Sequence, residues 1–358
     1  MTSVRFLATI LVILALLAVV SGATEVYYRT LSNLNCRPLA MGGAFLAVPC
    51  EFEAALYNPA GFVHGQGFGG VLNLGLTLYW LSRGFGEEAR MQDVELGGPP
   101  GSDFATLALS TLVGAKALSY SVGGFYAFCN LWEESLADPA TFDDPHFFHV
   151  KGLWADRTNT LGAGYRFPEG VTLAVSGSYY SREYPVVREG GALDESVEWE
   201  RRSGYGFTVG ATWEFAPKAY VAATYVDLPD NLPGCRANLE GLGDETINVG
   251  AAWFPFPDVV FSLDVRNLVN SRAEAFREVR VGLDQRLLPH VTFRAGYAYT
   301  GDQDHLWSLG LGVGDGRLGA AGGIQTNLAQ SNYILNYTFL KNQTADQIYH
   351  LLSFVVTF

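Results

Sequence analysis

The chain is poor in cations. Lys and Arg total 23 against 36 Asp and Glu, for a formal net charge of −13. That balance excludes nucleic acid as a partner, because a phosphate backbone calls for basic surface. Cysteine is scarce too, with Cys36, Cys50, Cys129 and Cys235 making up the whole set. They form no CxxC pair, and no histidine is spaced from them as zinc requires, so no metal site is expected. Long apolar runs are missing beyond the N-terminal leader, which leaves no candidate for a membrane-spanning helix. No Ser-His-Asp set can be read either, so the sequence offers neither catalytic residues nor a cofactor site.

The leader itself is plain. Met1 to Arg5 carries one positive charge, Phe6 to Val20 is apolar, and Ser21-Gly22-Ala23 supplies small residues for cleavage. Residues 1–23 therefore read as a cleaved signal peptide, since the apolar run is short for a retained span. No cysteine follows the cut, so the lipoprotein pattern is missing. In an oxidising compartment Cys36 and Cys50 are able to close a small disulfide loop; two separate buried thiols are the alternative.

What is abundant is glycine, 41 residues, and aromatic side chains, 13% of the chain. They fall in a pattern of period two. From Phe68 to Trp80 the even positions read Phe, Gly, Leu, Leu, Leu, Leu, Trp and the odd ones Gly, Val, Asn, Gly, Thr, Tyr. The same alternation runs over Leu118–Phe128, Val171–Tyr180 and Tyr205–Phe215. A soluble sandwich puts charge on its outer face. Here the second face is Gly, Ser, Thr, Ala and Tyr, which fits a lumen, while the large apolar face fits lipid. Trp80, Phe128, Tyr165, Trp213 and Trp253 stand near strand ends, as interfacial girdles do. The fold class that follows is all-β: a transmembrane antiparallel β-barrel of about 14 strands over residues 67–358.

Connections alternate in length. Short turns are expected at Gly114–Lys116, Phe167–Gly170, Ala216–Lys218, Phe254–Asp258 and Leu287–His290. Long polar loops are expected over Ser82–Asp103, Leu131–Gly152, Glu183–Arg201 and Leu228–Glu245. That asymmetry puts the short turns and the N-terminus in the periplasm and the long loops outside. Gly316–Gln330 reads either as a long turn or as part of a strand. The last strand alternates up to a terminal Phe358, which resembles the signal by which bacterial outer-membrane proteins meet the barrel assembly machinery.

Residues 24–66 precede the first strand. Within them Glu51–Leu56 allows one or two helical turns, Asn58-Pro59 stops the helix, and Gly42, Gly43 and Gly61 permit tight reversals. Phe45, Leu46, Phe52 and Leu56 need burial, which the inside of the barrel offers. The run Arg37-Pro38-Leu39-Ala40-Met41-Gly42-Gly43-Ala44, with Ala54-Ala55-Leu56-Tyr57-Asn58-Pro59-Ala60-Gly61, resembles the N-terminal region of FadL-like outer-membrane proteins. That superfamily includes long-chain fatty-acid and hydrocarbon transporters and the PorV/PorQ proteins. The resemblance implies a hatch inside a barrel of 14 strands, carried here by Gly42, Gly43, Phe52, Asn58, Pro59 and Gly61.

Three polar constellations remain. Asp143–His149 ("DDPHFFH") clusters carboxylates and histidines as metal ligands do, but reads better as a solvated acidic loop. Gly310–Gly316 ("GLGVGDG") places glycines at every second position with no helix after them. It is one face of a strand where a neighbouring element comes close, and not a nucleotide loop. Asp264, Arg266, Glu278, Arg280, Asp284 and Arg294 fall inward on three successive strands, because charge on the lipid face costs a few kcal/mol near the midplane. They form a lumenal charge cluster that either stiffens the wall, narrows the lumen or anchors the hatch.

These readings lead to a barrel in the bacterial outer membrane, with lipid and the assembly machinery as partners. With the hatch-like segment, the resemblance implies passive uptake of hydrophobic small molecules. The alternative is a PorV/PorQ-like accessory barrel for protein secretion or surface attachment, without transport activity.

Overall fold

In a computed structural model, period-two alternation becomes a wall. The structure describes residues 36–49, 52–63, 67–81, 90–91, 94–95, 104–119, 121–135, 154–188, 196–227, 245–256, 258–270, 277–299, 305–314, 332–342 and 347–357. The leader at 1–23, Cys50, the Asp143–His149 cluster, Gly316–Gln330 and Phe358 lie outside the described residues. The Cys36–Cys50 pairing therefore lies outside them as well.

Two short helices come first, α1 (Cys36–Ala40) and α2 (Phe52–Tyr57), and then a 3-10 turn, Pro59–Val63. The strands are β1 (Gly67–Leu81), β2 (Arg90–Met91), β3 (Val94–Glu95), β4 (Phe104–Ser119), β5 (Val122–Ser135), β6 (Trp154–Arg166), β7 (Val171–Arg188), β8 (Ser196–Ala216), β9 (Ala219–Asp227), β10 (Glu245–Phe256), β11 (Val259–Asn270), β12 (Glu278–Leu288), β13 (Val291–Tyr299), β14 (His305–Gly314), β15 (Asn332–Asn342) and β16 (Gln347–Thr357). β2 and β3 pair only with each other. Among the described residues the other fourteen follow one another in chain order around a closed barrel, and β1 pairs antiparallel with β16 to seal it. No described helix is long and apolar enough to cross a membrane.

Burial follows the alternation. On β7, Leu173 and Val175 are exposed while Thr172, Ala174 and Ser176 are buried. On β14, Trp307, Leu309, Leu311 and Val313 are exposed while Leu306 and Ser308 are buried. Tyr165 and Trp213 are exposed near the ends of β6 and β8, where a girdle belongs.

Two boundaries differ from expectation. The turn expected at Gly114–Lys116 lies further on: Gly114 is inside β4, opposite Val71 and Ala127, and the chain reverses between Ser119 and Val122. Leu118 and Val122 thus belong to different strands, and Leu118 stands opposite the buried Gly123. A two-residue reversal needs no glycine or proline, and the alternation ran through it unmarked. The loop expected over Glu183–Arg201 is mostly strand, because β7 runs to Arg188 and β8 starts at Ser196, with Glu183 opposite Arg201 and Pro185 opposite Trp199. Where both faces of a hairpin stand in water, neither face needs to be apolar, and the usual signature of a strand is lost. Likewise β5 extends to Ser135, into the segment expected to be loop from Leu131.

Candidate functional site

Residues 36–49 and 52–63 pack against the inner wall. Helix α1 ends where Gly42 and Gly43 take φ of 65° and 76°, a reversal that L side chains resist. The backbone N–H of Gly43 closes it on Pro38 O at 2.8 Å. Helix α2 ends at Asn58, whose N–H donates to Ala54 O at 2.7 Å, and Pro59 cannot continue the helix. The 3-10 turn then folds back so closely that a Cβ on Gly61 would strike Ala54 at 2.6 Å. The placement of the Phe52 side chain lies outside the described residues.

The wall accepts this segment through glycine. Gly164, Gly210, Gly250, Gly282, Gly296 and Gly310 are placed so that an added Cβ on each would meet the segment directly. At Gly296 it would fall on the Gly42 backbone nitrogen, and at Gly210 on the Asn58 side-chain oxygen. Reciprocally, a Cβ on Gly42 would lie 2.7 Å from Tyr297 N. The alternating glycines that open the "GLGVGDG" run are thus accounted for: Gly310 faces Ala40 and Gly312 faces the Arg294 guanidinium.

Three apolar clusters fill the spaces between. Met41, Phe45, Leu46, Val48 and Tyr57 pack on Ala222, Ala252, Phe254 and Val260. Ala60, Phe62 and Val63 pack on Phe125, Ala127, Cys129 and Ala174, with the Phe62 and Phe125 rings edge-on at 4.5 Å. Cys36 and Leu39 pack on Ala298, Leu306, Leu340 and Leu351.

The charge cluster points inward throughout. Asp264, Arg280, Asp284 and Arg294 are buried, and Asp264 stands opposite Arg280, Arg266 opposite Glu278, and Asp284 opposite Arg294. Arg280 pairs with Glu278, and Arg294 Nε lies 3.4 Å from Asp284 Oδ2. Much of the set also grips the inner segment. Asp264 Oδ2 accepts from Phe45 N at 2.6 Å and Leu46 N at 3.0 Å. Arg266 donates to Gly43 O at 2.7 Å and lies over the Tyr57 ring at 5.1 Å. Asp284 accepts from Arg37 Nε at 2.8 Å, and that guanidinium lies over the Phe45 ring at 5.3 Å.

Asn58 holds the other end. It is fully buried and donates to Leu46 O (3.0 Å), Ala211 O (3.3 Å) and Thr212 Oγ1 (3.0 Å), while its own oxygen accepts from Ala60 N at 3.0 Å. One amide thus fixes the turn after α2 and ties it to β8.

Arg37, Ser308, Asn336 and Thr338 belong to the same network, and the sequence did not single out their roles. Ser308 Oγ accepts from Gly42 N and donates to Ala40 O, each at 3.0 Å. Thr338 donates to Cys36 O at 2.8 Å, and Asn336 accepts from Arg294 at 2.7 Å. Arg37 had one visible signal: a lone cation at the head of the apolar run Pro38–Val48, whose burial demands a carboxylate.

No known family model matches the chain, and no curated protein matches it in sequence. Solved structures do match in shape. A Pseudomonas aeruginosa FadL homologue aligns with a TM-score of 0.60 at 12% identity, over 95% of this chain and 99% of its own. The Pseudomonas putida toluene transporter TodX aligns with a TM-score of 0.55 at 10% identity, over 94% and 98%. A mutant of the TodX monoaromatic hydrocarbon channel gives 0.56 at 12% identity, over 90% and 97%. At such identities the likeness speaks for the fold alone: this chain is folded as a barrel like that of the FadL homologue and of TodX.

Proposed function

We propose that this chain resides in the bacterial outer membrane and passes hydrophobic small molecules, with residues 36–63 as a gate seated inside the barrel. The single observation that carries the reading is how the segment is held. It is bound by side-chain hydrogen bonds and ion pairs to a glycine-lined wall, and it adds no strand to the sheet. Contacts of that kind separate without unpairing any barrel strand. The similar structures include a toluene transporter and a monoaromatic hydrocarbon channel, which supports a hydrophobic cargo.

The alternative accessory barrel draws support from one feature. β8 makes its last pair with β9 at Phe207, yet continues with β7 to Ser196, so a two-stranded hairpin reaches well beyond β9. Such a ledge suits a protein partner at the cell surface.

A reducible lock separates the two readings. A Cβ on Gly250 would lie 2.9 Å from that of Leu46, so Gly250→Cys with Leu46→Cys sits near disulfide range. In liposomes, flux of toluene and of a long-chain fatty acid is measured before and after reduction. Flux of either that falls on oxidation and returns on reduction supports the gate. Flux at the protein-free level in both states removes transport and leaves the accessory reading.

A further inference from the structure

We propose that Asn248 and Asn267 are positioning residues for the gate: they hold a two-residue bulge in β11 that aims Arg266 at the inner segment. The effect on flux rests on the gate reading above; the effect on how the segment is held does not.

β11 pairs with β10 in regular register from Phe261 to Val265, and the register then breaks. Val265 stands opposite Val249, yet Val269 stands opposite Ile247. Asn248 alone therefore faces Arg266, Asn267 and Leu268, two residues more than a regular ladder allows. On its other edge β11 stays regular up to Arg266 opposite Glu278, where that ladder ends. The surplus thus bears on β10 only. An even surplus also keeps the strand in phase, so Ile247 still faces outward and is exposed.

The bulge changes which way side chains point. Successive residues of a regular strand take opposite faces. Here Arg266 and Asn267 both reach into the lumen. Arg266 donates to Gly43 O, and Asn267 Oδ1 accepts from Thr246 Oγ1 at 3.0 Å. The reversal that permits this is left-handed: Asn267 has φ of 55°, a conformation asparagine tolerates better than most L residues. Bulges re-aim side chains in this way. The one re-aimed here clasps two parts of the inner segment, since Arg266 bonds Gly43 after α1 and covers the Tyr57 ring of α2.

Side chains hold the bulge. Asn267 N donates to Asn248 Oδ1 at 3.0 Å, and Asn248 Nδ2 donates to Thr224 Oγ1 on β9 at 3.2 Å. Thr224, Thr246, Asn248 and Asn267 are all buried. One amide on β10 thus links β9 to β11 and fixes the backbone of the residue next to Arg266. A buried N–H that loses its acceptor is costly, so removing the Asn248 side chain lets the bulge shift. The competing account is a strand end that frays toward a loop, with no bearing on the segment.

The test follows hydrogen exchange by mass spectrometry in the full mature chain in mild detergent. Peptides spanning Gly43–Val48 report docking, because Phe45 N and Leu46 N donate to Asp264. Asn248→Ala is expected to speed exchange there about tenfold, the loss of roughly one buried hydrogen bond. Arg266→Met should do the same. The double variant should be no faster than Arg266→Met alone, since Asn248 acts through Arg266. Deleting Asn267 and Leu268 removes the bulge but keeps the phase and the β12 ladder, and should match Asn248→Ala. Asn267→Gly, which keeps the positive φ, should stay within about threefold of the parent, and Asn267→Val should not. Parental exchange in Asn248→Ala overturns the assignment. So do multiplied effects in the double variant, which leave Asn248 to the frayed-end account. Heat-modifiable gel migration shows whether each variant is a folded barrel; if the deletion does not fold, Asn248→Ala and the double variant decide. Toluene flux in liposomes is measured on the same preparations. Faster exchange with unchanged flux sinks the gate alone, and unchanged exchange sinks this assignment alone.

Discussion

The two halves of the seat hold the inner segment by different physics. On β11–β15 the grip is polar and directional: Asp264, Arg266, Asp284, Ser308 and Thr338 meet named backbone atoms or Arg37. On β5–β8 it is mostly shape, with Phe62 and Val63 against Phe125, Ala127 and Ala174, and Asn58 as the main polar tie. A packed half tolerates small losses and refills. An ion-paired half fails when one partner goes, because the other charge stays buried without compensation.

The sharpest way to break that contrast is Asp264→Ala. It strips two backbone donors of their acceptor and leaves Arg266 beside the gap, a loss of about 3–5 kcal/mol. Conductance in planar bilayers should rise toward that of a deletion of Met41–Ala60, while the barrel still assembles. If the deletion itself assembles normally and leaks no more than the parent, the segment is not a gate.

Phe62→Ala removes a comparable amount, about 3–5 kcal/mol, but as a cavity. Denaturant resistance should fall while conductance stays near the parental level, since the polar half still holds. Equal leakage from Phe62→Ala and Asp264→Ala would erase the distinction between the halves.

Gly296→Ala drives a methyl group onto the Gly42 nitrogen and should cost about 1–3 kcal/mol as overpacking. In the Met41–Ala60 deletion the same change should be silent in denaturant titrations, which ties the cost to the inner segment. Asn58→Ala should weaken the β8 tie by about 1–3 kcal/mol, seen as brief openings in single-channel records.

The smallest effect belongs to the rim. Arg166 and Glu214 lie 3.3 Å apart and are part-exposed, so Glu214→Ala should change stability by under about 1 kcal/mol. A larger change there would mean that the barrel end, and not the seat, governs stability.

The legible parts were those where a face is forced to choose. Strand phase on β7 and β8 could be read because one face is large and apolar and the other small or polar. The inward set Asp264, Arg280, Asp284 and Arg294 could be read because charge on the lipid face is costly. The Ser119–Val122 reversal and the hairpin beyond Glu183 could not, since a two-residue turn carries no obligatory residue and hydrated strands need no apolar face. Asn58 was half legible: its bond to Ala60 N is local, whereas its ties to Ala211 and Thr212 cross 153 and 154 residues. Arg37 and Asp284 lie 247 residues apart, a span over which no local pattern reports.

That distance sets an order of events during biogenesis. The inner segment is made before any strand, yet the polar half of its seat comes from strands near the end of the chain, down to Thr338, 302 residues after Cys36. Until those strands arrive, Arg37 has no carboxylate and the N–H groups of Phe45 and Leu46 have no acceptor. Docking is therefore a late step, coupled to the pairing of β1 with β16. A nascent barrel stalled short of β11 carries its inner segment loose, and the docked segment doubles as a record that the last strands have been laid down.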